Sequence, residues 1–237
     1  AILPTLSAQA ARGALDELRT TIGFGLRMIF FIILPAMLGL ILLRHPIVHL
    51  VFEHGSFTKA DTMATATALL CYAVGLWAFA GVRIIVSAFY SLQDTRTPAV
   101  TAGIAVGANI LLSLWLMTLL DAAGLALATA LASMLNGSIL VAVLHRRLGH
   151  VDWGSIVWSA LRVLGACIPV ALMCLWVASA SLWDQDGEWV MKSAALFGGI
   201  GVSVIGYLGV HITLGSEELD VVLGMVKRKF GRVAKKF

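Results

Sequence analysis

Charge is what this sequence lacks. Only 13% of its 237 residues are Asp, Glu, Lys or Arg, against 59% hydrophobic, where a soluble domain carries about 25% charged residues. A hydrophilic surface of ordinary size is thereby excluded, and a membrane protein is expected. Cysteine is scarce too. Cys71, Cys167 and Cys174 lie inside apolar runs, form neither a CxxC motif nor a disulfide framework, and read as small packing residues. The histidines are scattered without an HExxH or similar spacing. No metal site and no cofactor are expected, and a soluble metalloenzyme is excluded. The opening AILPTLSAQAARG has no basic stretch ahead of an apolar one, so it does not read as a signal peptide. It reads as the end of an earlier helix running into a loop, and the chain is expected to be the C-terminal part of something longer.

What the sequence has is long apolar runs. A transmembrane helix needs about 20 apolar residues to cross roughly 30 Å of hydrocarbon. Six runs qualify, at about 22–43, 63–91, 99–120, 123–144, 156–180 and 189–214. The third and fourth are separated only by Asp121-Ala122 and predict a tight helical hairpin. Pro35 and Pro169 fall inside spans, where neighbours must satisfy the freed carbonyls or the helix kinks. Leu6–Thr20 and Ser216–Phe237 are amphipathic rather than spanning. The second opens on acidic SEELD, which suits a helix start, and continues with a basic face that suits an anionic leaflet; nucleic acid is not expected as a partner. The fold class expected is therefore all-α, with six transmembrane helices and amphipathic cytoplasmic helices at both ends. The parts are 1–21, 22–146 with four spans, 147–214 with two more, and 215–237, the basic tail.

With six spans both ends share a side. That side would hold Arg12, Arg19, Arg27, Arg96, Arg146, Arg147, Arg162 and the basic tail, and the other only Arg44, Lys59 and Lys192. The positive-inside rule puts both ends in the cytoplasm. Trp153, Trp158, Trp183 and Trp189 fall at interface positions, where indole is favoured, although packing alone also explains each.

A few polar residues lie within the runs. Arg83 stands ten residues before Gln93, so about 15 Å of helix separates it from the inner surface. An arginine that deep faces a bundle interior or an aqueous cavity. Two readings stand: a cavity cation for an anionic, phosphate-like group, or a structural arginine capping carbonyls of a neighbouring helix. Arg27 is shallower and either snorkels or rims the same cavity. Asn109 and Ser113 are spaced i,i+4 on the third span, and Thr129, Ser133 and Asn136 lie on the fourth. They suit hydrogen bonding across the hairpin, or a weak cation site of side-chain oxygens. The glycines of the sixth span suit close packing or a smooth groove for an acyl chain.

The stretch AFYSLQDTRTPA joins the second and third spans on the inner side. Thr97 can cap a helix and Pro98 suits its first position. Asp94 and Arg96 can pair or hold neighbouring loop carbonyls, and Tyr90 fits the interface. This reads as a rigid helix–turn–helix corner built from Tyr90, Gln93, Asp94, Thr95, Arg96, Thr97 and Pro98.

FYSLQDTRTP resembles the F-Y-x-x-Q-D-T-x-T-P signature of the MurJ/MviN family of lipid II flippases, within the multidrug/oligosaccharidyl-lipid/polysaccharide exporter superfamily. ILPTLSAQAARGALDEL and GLRMIFFIILPAMLGLILLRHPIVHLVFEHGSFTKADT also resemble stretches of that family. The likeness is dense over residues 2–137 and mostly topological beyond. It implies a fourteen-span fold of which this chain holds the last six spans, the first eight lying elsewhere in the same protein. Residues 22–146 would be the last four spans of the C-lobe, and 147–214 would form a groove for the lipid tail. Arg83, and Arg27 with it, would remain from the substrate cavity. The implied function is transport of lipid II, the undecaprenyl-diphosphate-linked peptidoglycan precursor, across the bacterial inner membrane by alternating access, with no bond made and hence no catalytic residues. Leu92 departs from the basic residue many members carry before Gln-Asp, and Ser113 from the Asn or Asp of some members. The alternatives are another superfamily exporter, a drug/cation antiporter or polysaccharide-unit flippase, and a non-transporting scaffold. A polyprenyl transferase would need metal-binding carboxylates such as DDxxD, which the chain does not have.

Overall fold

A chain with so little charge must satisfy its backbone N–H and C=O groups internally, and helices do so within one segment. The structure, a computed structural model, describes residues 2–149, 151–184, 187, 189–216, 218–222 and 224. Among them the regular elements are helical: α1 (Leu3–Ala11), α2 (Leu15–Leu42), α3 (Arg44–Phe52), α4 (Lys59–Val74), α5 (Leu76–Ser91), α6 (Arg96–Leu148), α7 (Trp153–Ala166), α8 (Ile168–Ala178), a short 3-10 turn at Ser181–Asp184, and α9 (Trp189–Leu214). By length and composition α2, α4 with α5, α6 and α9 can each cross a membrane, and α7 with α8 forms a further bent candidate.

The breaks refine the expected runs. The run 63–91 is divided at Gly75, where the backbone stays in the right-handed helical region. A Cβ on Gly75 would lie 2.7 Å from the Cβ and 2.8 Å from the Cα of Ala130, so glycine is what lets α4 and α5 lie against α6. Inside α6 the chain reverses at Asp121, whose φ is 49°. Asn109 then hydrogen-bonds Thr129, which shows two antiparallel arms. The run 156–180 breaks at Cys167, and α7 and α8 meet at 41°. Pro169 lies just past that break and has no N–H for the carbonyl one turn back.

Two expectations change at the ends. Leu6–Thr20 is not one amphipathic helix. Gly13, at φ 68°, turns the chain between α1 and α2, because a left-handed conformation costs glycine nothing; residues 15–20 are the first turns of α2. Most of the tail Ser216–Phe237 lies outside the described residues. Where it is described, Leu219 is buried and Val222 packs beside it on the core.

Among the described residues the core is two clusters that share α2. One joins the first half of α2 to α1, α5 and the second arm of α6 through Leu6, Leu18, Ile22, Phe89, Leu140 and Leu144. The other joins the second half of α2 to α3, α7, α8 and α9 through Phe31, Leu43, Val163, Val177 and Tyr207. Large apolar side chains face outward as well: Leu111 is 71%, Trp176 70% and Ile205 72% exposed. Such contiguous apolar faces need lipid or another protein surface against them.

Candidate functional site

An apolar groove of about 580 Å³ runs between α2, α8 and α9, lined among others by Pro35, Gly39, Leu43, Ile47, Val170, Ile200, Val204 and Leu208. Its polar groups are turned to the protein. The Ser203 hydroxyl donates to the Gly199 carbonyl at 2.7 Å and lies 3.9 Å from the Cys174 sulfur. The Tyr207 hydroxyl donates to the Phe31 carbonyl at 2.7 Å. With those groups satisfied, the surface left to an occupant is hydrocarbon, and a hydrocarbon chain is what it suits.

Arg83 is exposed, on the face of α5 away from the core residues Gly81, Ile85 and Ala88. Among the described residues its guanidinium makes no hydrogen bond or ion pair; only its backbone carbonyl is engaged, by Ser87. One turn away the Phe79 ring stacks on Tyr72, with centroids 6.0 Å apart. Arg27 lies elsewhere, where α2 meets α7. It lines a cavity of about 440 Å³ with Asp16, Arg19, Asp152 and Ser155, and another of about 420 Å³ with Arg162, His211, Ser216 and Glu218. The two arginines share none of the four described cavities.

The corner between α5 and α6 is organised by Asp94. Its Oδ1 accepts the Thr97 amide at 2.9 Å and its Oδ2 the Thr97 hydroxyl at 2.6 Å. The Arg147 guanidinium, from the last turn of α6, lies 2.7 Å from Oδ2. Arg147 also sits over the Phe89 ring, 6.0 Å from its centroid. Two expectations are corrected here. Thr97 is not the cap: α6 begins at Arg96, and Asp94, one turn back, supplies the capping oxygen. Pro98 therefore falls later in the first turn, where a missing N–H still costs nothing. Asp94 pairs with Arg147 rather than Arg96, because the hairpin returns Arg147 to the corner. The Thr97 hydroxyl and amide, with the Arg147 charge, hold the Asp94 carboxyl below the usual carboxylate range. Gln93 takes φ 59°, so the bend is made by a residue for which that conformation costs roughly 1–2 kcal/mol. Tyr90, Gln93 and Thr95 are exposed. Arg147 was legible only as one of the inner-side cations; the length of the hairpin arms was the signal that places it opposite Asp94.

The oxygens in the hairpin come together in part. Asn109 Nδ2 donates to the Thr129 hydroxyl at 3.2 Å, Ser113 donates to Asn109 Oδ1 at 3.3 Å, and Thr129 donates to the Leu125 carbonyl at 2.9 Å. This arrangement staples the two arms. Asn136 is not part of it, and its buried Oδ1 has no hydrogen-bond partner among the described residues.

Comparison with known proteins agrees with this architecture. The family model "Lipid II flippase MurJ" matches residues 1–196. A probable lipid II flippase MurJ of Vibrio cholerae is 32% identical over 93% of this chain and 42% of its own length. One of Rhizobium meliloti is 31% identical over 96% of this chain and 43% of its own. The chain thus spans less than half the length of these relatives. A solved structure of a lipid II flippase MurJ in an inward closed conformation superimposes with a TM-score of 0.65, at 22% identity, over 91% of this chain and 44% of the other; that likeness concerns the fold. With the family model covering most of its length, the chain belongs to the lipid II flippase MurJ family.

Proposed function

We propose that this chain is the C-terminal part of a lipid II flippase of the bacterial inner membrane. In this reading it crosses the bilayer six times, by α2, by α4 with α5, by each arm of α6, by α7 with α8, and by α9, with both ends in the cytoplasm. The reversal of α6 at Asp121 and the crowding of Lys and Arg on one side support that topology. A disaccharide-pentapeptide carrying a diphosphate does not cross hydrocarbon unaided. The groove between α2, α8 and α9 keeps the polyprenyl tail in an apolar setting, while guanidinium groups receive the diphosphate and two lobes alternate in access around it. No bond is made or broken. The basic tail rests on anionic lipid headgroups.

The observation that carries this reading is Arg83, the one permanent charge on α5, standing on an exposed face beside Phe79 and Tyr72. A bare guanidinium at that depth is costly against lipid. We read its face as the wall of a cavity that the rest of the flippase closes, with Arg27 at the cytoplasmic approach. The test is Arg83→Ala in the full-length flippase. Complementation of a flippase-depleted strain is lost while membrane insertion is unchanged, and Arg83→Lys retains part of the activity. Normal growth of Arg83→Ala at normal expression overturns the assignment.

A further inference from the structure

Besides its two indoles, α7 carries three polar side chains, Ser155, Ser159 and Arg162. They stand at i, i+4 and i+7 and so share one stripe of the helix. The core needs none of them, because Ile156, Val163 and Ala166 supply the buried face. The stripe lines the cavity of about 420 Å³ whose other walls come from α2, from the end of α9 and from the residues just past it. Both signs of charge reach this space. The Arg162 guanidinium sits over the Trp158 ring, 5.5 Å from its centroid. Glu218, past the end of α9, accepts the Ser159 hydroxyl on Oε1 at 3.0 Å. Ser159 and Arg162 are one turn apart, so carboxylate and guanidinium line neighbouring parts of one wall. They nevertheless form no ion pair with each other.

A cation and an anion held apart over one cavity suit a ligand that carries both charges. A phosphate fits the guanidinium fork. The Ser155 hydroxyl adds a donor, since only the amide of that residue is engaged, by Asp152; the Ser216 hydroxyl is already held, 2.9 Å from His211 Nδ1. An ammonium fits Glu218 and the end of α9, where Leu214 and Gly215 line the cavity and a helix C-terminus favours positive charge. The rim decides what the ligand is attached to. Trp158 and Leu214 line the cavity and are 58% and 57% exposed. Next to them Val157 and Leu161 on α7 and Ile212 on α9 also face outward. A soluble zwitterion has no use for that apolar surround, whereas acyl chains cover it. The end of α9 also marks the end of a span, which puts the cavity near headgroup level.

We propose that this cavity seats the headgroup of a zwitterionic phospholipid bearing a primary ammonium, with its phosphate on Arg162 and Ser155 and its ammonium on Glu218. The acyl chains follow the outward faces of α7 and α9. A quaternary ammonium has no N–H to give the carboxylate, and a glycerol headgroup brings it no cation, so the primary amine is the class selected. Arg27 lines the same cavity and a second one, and the assignment does not depend on it. The inference rests on the chain lying in a bilayer, not on lipid II being the cargo.

The test is native mass spectrometry of the delipidated full-length protein, titrated with phosphatidylethanolamine, phosphatidylcholine or phosphatidylglycerol of matched acyl chains. The first phosphatidylethanolamine is expected to bind roughly tenfold more tightly than phosphatidylcholine, because only its ammonium gives the carboxylate a charge-assisted hydrogen bond. Glu218→Gln removes that preference and leaves phosphatidylglycerol binding undiminished. Arg162→Gln weakens all three lipids by taking away the phosphate contact, and Arg162→Lys recovers part of the loss. Thermal unfolding gives a second readout: phosphatidylethanolamine raises the midpoint of the wild type but not that of Glu218→Gln, and this comparison decides the matter if Arg162→Gln does not fold. Equal binding of phosphatidylethanolamine and phosphatidylcholine overturns the proposal, as does a preference kept in Glu218→Gln or binding unchanged in Arg162→Gln. A first phosphatidylglycerol bound more tightly than phosphatidylethanolamine makes the occupant anionic and overturns it too. Displacement of the lipid by an equal concentration of soluble phosphoethanolamine overturns the lipid assignment in favour of a free ligand. Lipid II is absent throughout, so the outcome is independent of the flippase reading.

Discussion

The Tyr207 hydroxyl donates to the carbonyl of Phe31 at 2.7 Å, the carbonyl that Pro35, four residues on, leaves without a helix donor. Proline has no N–H and normally breaks or kinks a helix, yet α2 runs unbroken from Leu15 to Leu42. A side chain from α9 supplies the missing bond. At Pro169 the helix instead breaks at Cys167.

This relationship makes a double-mutant cycle informative. Tyr207→Phe leaves a buried carbonyl unpaired and is expected to cost about 1–2 kcal/mol. In a Pro35→Ala background the helix supplies its own donor, and the same substitution should cost distinctly less. Thermal unfolding of the four proteins in one detergent reads the coupling, and equal costs in both backgrounds contradict it.

Gly75 tests the close approach of α4 and α5 to α6. Its backbone is right-handed helical, so alanine is conformationally acceptable, but the new methyl would lie 2.8 Å from the Cα of Ala130. No rotamer relieves a contact with backbone. Gly75→Ala is expected to lose about 1–3 kcal/mol through overpacking, and adding Ala130→Gly should recover part of it. A neutral or stabilising Gly75→Ala contradicts the packing described.

Part of the acid sensitivity should arise at the corner. The Thr97 hydroxyl and amide, then Arg147, keep the Asp94 carboxyl below the usual carboxylate range. A folded value below the unfolded one means that the stabilisation is complete above the unfolded value of about 4. It is lost as pH falls through the folded value. The midpoint of thermal unfolding should therefore hold steady from neutral pH to about 5 and fall below about 4. Asp94→Asn keeps a capping oxygen but loses the Arg147 pair, so its curve should be flatter in acid. Asp94→Ala, which loses both, should be the least stable at neutral pH. A wild-type slope retained in Asp94→Asn removes Asp94 from the explanation.

The groove can be filled without harming the fold. A Cβ at Gly39 meets nothing within 4 Å, and Gly39 lines the groove. Gly39→Leu should stabilise α2 by up to about 1 kcal/mol while excluding a hydrocarbon chain. Photo-crosslinking with a polyprenyl-phosphate probe should label the wild type in α2 and α9 and fail in Gly39→Leu. Undiminished labelling places the tail elsewhere.

Much of this protein was determined by its sequence alone. Composition and run length demand helices in lipid, since only helices or closed barrels satisfy a backbone there. Asp121-Ala122 marked the hairpin, and the GLR, FYSLQDTRTP and LPTLS stretches marked the family. Run boundaries were blurred where breaks depend on neighbours. Apolar content is continuous through Gly75 and Cys167, and only packing against Ala130, or the want of a donor beside Pro169, divides the helix. The two prolines look alike along the chain and differ in the fold because only one meets a tyrosine. Arg147 beside Asp94 and Tyr207 on the Phe31 carbonyl join residues far apart in the chain. Local pattern carries the period of a helix and the cost of a charge in hydrocarbon; which distant partner meets that cost is decided when the helices pack.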